Sequence, residues 1–429
     1  MTRSETLGRR FLCFALLVSL VGFLGFYGAN GFVAPPPVIV LGLQMLAVIL
    51  GAVFLRKRLF RNAGAILPLI LVAAWAAATL LWADDPATAL QRWLLVFMPS
   101  LLICALAASD PRPRATLVWF AALVSGIVLA SGLFSGIVVA FWNWTIPSDA
   151  LRYFLLDLNG WLVGITEGGR QYSIATIPRE PVLYIPRYSG LTSNPNSLAL
   201  FAAIITITLA AYAPWNRPEK RIGWVLLTVA VVFLLLLSGS RAALGMTVIS
   251  ILFVFLLQTG RHTLARWIVV LILGAAAALY IAAWFTVSVP DPEQLEVLQL
   301  RARSEAWRIA MQALLNVWPF GFGFGMTQEI VYAPIGLQTA VHSLPLTSLL
   351  ETGLIGFLLV LVAWFYPVIR ATRQNSENSV ALVAIVALLV GLFVHQAADS
   401  SVFRYHWAHF VFVYLIGASA WLSGSRASE

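Results

Sequence analysis

Apolar residues in this chain gather into long, nearly charge-free runs separated by short polar stretches. A helix needs roughly 20 mainly apolar residues to cross a bilayer. Twelve runs meet that description, at about 11–28, 38–55, 64–82, 93–108, 115–141, 190–213, 222–238, 242–257, 267–287, 344–366, 380–396 and 406–423. They predict an all-α polytopic membrane bundle, built as a single integral domain over residues 1–429. The seventh and eighth runs form a tight hairpin whose tip reads SGSR. The first run is long enough to span and is soon followed by another, which argues against a cleaved signal peptide.

Two long stretches interrupt the pattern, at about 142–189 and 288–343. The first is irregular and carries arginines; the second opens with DPEQ. There Asp291 reads as an N-cap, Pro292 as the first helical residue and Gln294 as the closing member of a capping box. A helix is therefore expected from about 292 to 317, lying on the outer membrane face and stopping before WPFGFGFG.

Basic residues orient the bundle. With the N-terminus inside, the cytoplasmic side holds seventeen of the 27 lysines and arginines, both lysines (Lys57 and Lys220) among them. The outer side holds ten, all arginine, and only Arg92, Arg241 and Arg404 lie in its short loops. Both termini are thus expected in the cytoplasm, with the two long stretches outside.

Composition agrees with a membrane protein. Hydrophobic residues make up 60% and charged residues 10% of the chain, and mean hydropathy is +0.88. Soluble proteins are about 25% charged. The net charge of +9 is scattered over many short loops, without a basic stripe interleaved with aromatics, so nucleic acid is set aside as a partner. Cys13 and Cys104 each sit inside an apolar run and read as packing residues.

Four groups project to the outer side: Arg187 before the sixth span, Arg241 at the hairpin tip, Arg303 in the outer helix, and His342 opening the tenth span. Arginines at membrane ends also snorkel to headgroups, and a histidine at a helix start is also a satisfied polar group. Together, though, the arginines form a set suited to a diphosphate, because guanidinium grips phosphate oxygens in two-pronged fashion and keeps its charge.

Helical geometry sorts the neighbours. Arg301 and Arg308 share a face, with Glu305 one turn from Arg301, as in a surface ion-pair ladder. Arg303 points about 200° away from Arg301, on the side of Trp307, and is the better candidate for facing a ligand. Glu351 lies about 900° and 13 Å along a regular helix from His342, so the two cannot form a dyad. It reads as a buried structural group paired with a hydroxyl or a cation. Asp84, Asp85, Glu167 and Glu180 are carboxylates expected on the outer side.

Weaker signals remain. GFGFG at 321–325 reads as a flexible turn, since no strand precedes it and no helix follows. His395, Asp399, His406 and His409 could form a metal site but lack a further ligand at the usual spacing. Asn143 begins a glycosylation sequon, relevant only in a secretory pathway.

The stretch from Arg303 to Gly356 resembles the signature domain of the O-antigen ligase and polysaccharide polymerase superfamily. The likeness rests on Arg303 with Trp307 four later, PFGFGFG, His342 and LLETGLIG, with Arg187 in RYSGLTSNPNSLALF and Arg241 in GSRAAL upstream. It gives an approximate core of 185–360. Serine follows His342 where many members have asparagine; a hydroxyl can keep a similar hydrogen bond.

This resemblance implies a metal-independent, cofactor-free, inverting glycosyl transfer at the periplasmic face of the bacterial inner membrane. The donor would be a glycan on polyprenyl diphosphate, and the acceptor either lipid A core or a second lipid-linked glycan. Arg187, Arg241 and Arg303 would hold the diphosphate, and His342 with Arg303 would carry catalysis. A flippase or chain-length regulator would be a further partner. The arginine-bearing stretch 142–189 tilts the choice slightly toward a polymerase over a ligase. The rival of another class is a multi-span transporter of a lipid-linked or anionic solute. The scarcity of charge at mid-depth and the arginines at the outer mouth weigh against it.

Overall fold

The computed structural model describes residues 3–21, 26–28, 31–33, 37–56, 63–110, 112–145, 195–212, 218–238, 240–261, 301–335, 341–373, 380–404 and 406–424, with a few positions between 263 and 271. Within them the chain is helical apart from one short hairpin. The helices are α1 (Arg3–Val21), α2 (Pro37–Leu55), α3 (Ala63–Ala78), α4 (Pro86–Ala107), α5 (Pro113–Thr145) and α6 (Pro195–Tyr212). They continue with α7 (Pro218–Ser238), α8 (Arg241–Gln258), α9 (Arg301–Val317), α10 (Leu344–Arg373), α11 (Val380–Ala397) and α12 (Trp407–Gly424).

Among the described residues, five helical stretches are long and apolar enough to cross a membrane: Pro86–Ala107, Pro113–Ala130, Arg241–Gln258, Leu344–Thr372 and Val380–Ala397. Five shorter apolar helices accompany them: Ile39–Leu55, Ile66–Trp82, Asn196–Tyr212, Ile222–Leu236 and Trp407–Ala420. The ninth run, 267–287, lies almost wholly outside the described residues, as do 146–194 and 272–300.

The first run departs from expectation at both ends. Its helix takes in the polar start from Arg3 and stops at Val21. Phe26–Gly28 then pairs antiparallel with Gly31–Val33, in the register Phe26↔Val33 and Tyr27↔Phe32. Aromatic and β-branched residues favour such paired strands, which an apolar-run count cannot distinguish from helix. The helix expected before WPFGFGFG ends at Val317 as the sequence indicates; its described part begins at Arg301.

Burial follows sequence character. Ser197–Leu209 of α6, Ala381–Phe393 of α11 and Trp407–Ala420 of α12 are buried on every side, as expected of helices apolar all round. In α7, by contrast, Ile222, Leu226, Val229 and Phe233 are exposed at helical spacing and form an outward apolar stripe. Aromatic contacts lock the centre. Trp364 donates to Leu389 O at 2.8 Å and lies 4.1 Å from Phe412, and Phe201 stacks on Trp407 at 4.0 Å. Cys13 and Cys104 are buried free thiols, consistent with a packing role.

Helices α8 and α11 run antiparallel in close contact. Ser250 Oγ donates to Ala387 O at 2.8 Å, and a Cβ on Gly391 would stand 2.9 Å from Met246 Cγ. Continuing that pairing toward the start of α8 brings Arg241 level with the last residues of α11. The same end of the bundle therefore collects the starts of α4, α8, α10 and α12 and the end of α11.

Candidate active site

His342 stands before α10, not within it. Its backbone is left-handed, with φ of 49°, a conformation that costs most non-glycine residues energy and marks an imposed geometry. The backbone on both sides of it is held. Trp307 Nε1 of α9 donates to Val341 O at 2.6 Å, and Leu344 N donates to Asp399 O, beyond α11, at 2.9 Å. The first helical bond of α10, from Thr347 N to Ser343 O at 2.9 Å, then begins at once. The half-buried imidazole is thus presented by a short segment pinned to two other elements.

Helix α10 breaks a little further on, and the break builds the rest of the site. Gly353 has φ 66° and ψ −167°, which interrupts the helical ladder. Leu354 N turns from its helical partner Leu350 O to Pro319 O at 2.8 Å. The carbonyls so released accept from the glycine-rich loop: Leu350 O from Phe322 N at 2.7 Å and Glu351 O from Gly323 N at 3.0 Å. Trp75 Nε1 caps Thr352 O at 2.8 Å, and Phe324 N donates to Thr79 Oγ1 at 3.0 Å. The GFGFG segment is therefore a docked plug and not a flexible turn. Its three glycines, Gly321, Gly323 and Gly325, all take positive φ (78°, 110° and 80°). They supply left-handed backbone for close approach to a helix, and sequence alone shows no sign of that receptor.

Two arginine–carboxylate pairs fasten this plug. Glu351, 3% exposed, accepts at Oε1 from Thr327 Oγ1 at 2.7 Å and from Arg404 at 2.6 Å. This is the hydroxyl-and-cation pairing expected of it. Arg92 of α4 forks onto both carboxylate oxygens of Glu329, one at 2.6 Å, and also donates to Gly325 O. Burial alone would raise the Glu329 carboxyl. Hydrogen bonds from Arg92 and the charges of Arg92 and Arg404 outweigh it and hold the group below its ordinary 4.5. Arg92, Arg404 and Glu329 were not foreseen as site residues. The sequence places both arginines between apolar runs, and the structure puts Arg92 inside α4.

The expected residues divide as follows. Arg303 lies in the first turn of α9, one turn before the Trp307 that binds Val341, so its helix is fastened to the His342 segment. Arg241 is exposed and is the first residue of α8, following the extended Ser240. Arg187, Glu167 and Glu180 lie outside the described residues. Arg308 hydrogen-bonds Gln312 along its own helix at 3.2 Å, as a surface residue would. Asp85 caps α4, accepting from Thr88 N at 3.1 Å and Thr88 Oγ1 at 2.5 Å. Those bonds hold its carboxyl below the usual 3.8 and tie it to a structural task.

The histidines at the end of α11 and beyond it are engaged by the protein. His409 Nε2 lies 2.7 Å from Ser100 Oγ, and its Nδ1 accepts from Phe403 N at 3.3 Å. His406 Nδ1 accepts from Ala408 N at 3.2 Å, capping α12. His395 lies 3.8 Å from Asp399. Among the described residues, no three His, Cys, Asp or Glu side chains converge as metal ligands.

Fold and site together define a multi-pass helical membrane protein with His342, Arg241 and the paired arginines Arg92 and Arg404 toward one end of its bundle. Residues 226–361 match the family model Wzy_C, described as O-antigen ligase. The matched segment runs from α7 into α10 and takes in Arg241, Arg303 and His342. It supports the superfamily resemblance read from the sequence. No curated protein matches the chain.

Proposed function

We propose that this protein transfers a glycan from polyprenyl diphosphate to an acceptor hydroxyl at the outer face of a bacterial inner membrane, as a polysaccharide or O-antigen polymerase or as an O-antigen ligase. The match over residues 226–361 supports O-antigen ligase-type glycosyl transfer in general. The observation that carries the finer reading is the pinned, left-handed His342. It is tied through Val341 to the helix of Arg303 and through Leu344 to the end of α11, near Arg241.

In this reading the His342 imidazole takes the acceptor proton as general base. The acceptor oxygen attacks the anomeric carbon on the face opposite the diphosphate. The bond from that carbon to the phosphate oxygen breaks, and polyprenyl diphosphate leaves. Arg187, Arg241 and Arg303 grip the diphosphate and stabilise the charge that grows on it. One displacement inverts the anomeric centre. The twelve-span layout, with cytoplasmic termini and the loops 142–189 and 288–343 outside, belongs to this proposal.

Purified protein supplied with a synthetic polyprenyl-diphosphate glycan and EDTA, with acceptors offered separately, tests it. Product on lipid A core identifies a ligase, and a ladder of repeat lengths a polymerase. His342→Ala should abolish turnover while leaving donor binding largely intact, because a general base acts in the transition state. No product with either acceptor would overturn the proposal and favour transport. Near-normal turnover by His342→Ala would remove the histidine from its role.

A further inference from the structure

The opposite end of the bundle carries a cleft that this reaction does not use. Arg92 and Ala107 lie about 22 Å apart along α4, and the cleft belongs to the Ala107 end. There Asp110 is buried and accepts from Arg112 N at 2.9 Å and Thr116 Oγ1 at 2.6 Å. Arg9 Nε of α1 donates to the same Thr116 oxygen at 2.9 Å, joining α1 to α5.

Beside this chain of bonds the two helices part around a cavity of about 430 Å³. That is within the range of roughly 300–1,000 Å³ usual for ligand clefts. Its lining is ordered along the helix axis. Thr6, Arg9 and Arg10 lie at one end, with Phe14 and Leu17 one and two turns further along the same face and Trp119 of α5 opposite. No carboxylate is among the described residues that line the cleft. Thr116 engages only Nε of Arg9, leaving the terminal guanidinium nitrogens to a ligand. Among the described residues, Arg10 is exposed and has no hydrogen-bond or ion-pair partner. Phe14 is 44% and Trp119 38% exposed, so the apolar part opens sideways, where a spanning bundle meets lipid.

We propose that this cleft binds an anionic phospholipid, with Arg9 and Arg10 on the phosphate and an acyl chain along Phe14, Leu17 and Trp119. Two guanidinium groups without a carboxylate select a phosphate and disfavour a zwitterionic headgroup, whose cation they would repel. The apolar wall is what selects a lipid over a soluble phosphate. Tryptophan at a polar–apolar boundary suits the interfacial depth this requires.

Native mass spectrometry of the full-length protein, titrated with phosphatidylglycerol and phosphatidylcholine of matched chains, tests the proposal. Phosphatidylglycerol should bind at least about fivefold more tightly, the worth of one basic residue near an anionic surface. Arg10→Gln should remove most of that preference and leave phosphatidylcholine unaffected, while Arg10→Lys retains part of it. Arg10 has no described partner, so this variant keeps the fold, which an unchanged melting temperature verifies. Equal binding of the two lipids, or an unchanged preference in Arg10→Gln, would overturn the proposal. Displacement of the lipid by glycerol phosphate at similar concentration would also overturn it, in favour of a soluble anion.

Discussion

Gly321 and Gly353 meet face to face with no room for a side chain on either. A Cβ on Gly321 would lie 2.7 Å from Gly353 N, and one on Gly353 would lie 2.1 Å from Pro319 O. Both residues take positive φ, so space and backbone conformation impose the same choice. The contact joins a loop to a broken helix, and through that helix to the pinned His342.

Gly353→Ala should therefore destabilise strongly. At φ 66° and ψ −167° the backbone sits in a region essentially reserved for glycine, which costs another residue on the order of 1–3 kcal/mol before any clash is counted, and here the clash is with backbone. Melting temperature in detergent should fall by several degrees, as it should for Gly321→Ala. Gly42→Ala in α2, where a Cβ meets nothing within 4 Å, is the control. It should be neutral or stabilising by about 0.5–1 kcal/mol.

Trp307→Phe keeps an aromatic ring but removes the donor to Val341 O. One hydrogen bond is worth about 1 kcal/mol, so the melting temperature should change little. If this bond positions His342, kcat should fall about fivefold or more with KM nearly constant. A change confined to KM would assign the tryptophan to substrate contact.

The Glu351–Arg404 pair should matter more to folding than to chemistry. Arg404→Gln leaves a buried carboxylate with only Thr327, and removing one partner of a buried pair costs about 3–5 kcal/mol as an upper range. Arg404 is one-third exposed, which reduces that figure. Glu351→Gln keeps a group able to accept from Thr327 and should be milder. The double change Glu351→Leu with Arg404→Met should recover part of the loss. In each case yield and thermal stability should fall more than turnover per folded molecule.

Glu329 sets a pH dependence. Its pKa is lowered in the folded protein, so its contribution is fully present above the unfolded value near 4.5. The contribution is lost as pH falls from there through the folded pKa. Stability should therefore decline on acidification below about pH 4.5, and the part due to Glu329 should vanish from the curve of Glu329→Gln. An unchanged curve in that variant would deny the Arg92 pair this role.

Among the α9 arginines, Arg303→Lys should lose most activity, because an ammonium cannot reproduce a planar two-pronged contact. Arg308→Lys should be mild, given its bond to Gln312 on its own helix. Equal losses in a transfer assay would refute the assignment of faces.

Much of this protein follows from the chain alone. Long apolar runs dictate helices, because a bilayer leaves backbone polar groups no partner except within the segment. The motif from Arg303 to Gly356 could be read linearly, since its members keep their order and spacing. Even the pairing of Glu351 was legible, because a carboxylate in an apolar run must find a hydroxyl or a cation. Its partners Thr327 and Arg404 were not, being 24 residues before it and 53 after it in the chain. Only the tertiary structure decided that GFGFG would be a rigid plug. Glycine permits many backbone conformations, and the receptor that selects one is a break in another helix. The same holds for His342. Its left-handed backbone is bracketed by bonds to Trp307 and Asp399 from separate elements, contacts that the stretch VHSLP does not itself encode.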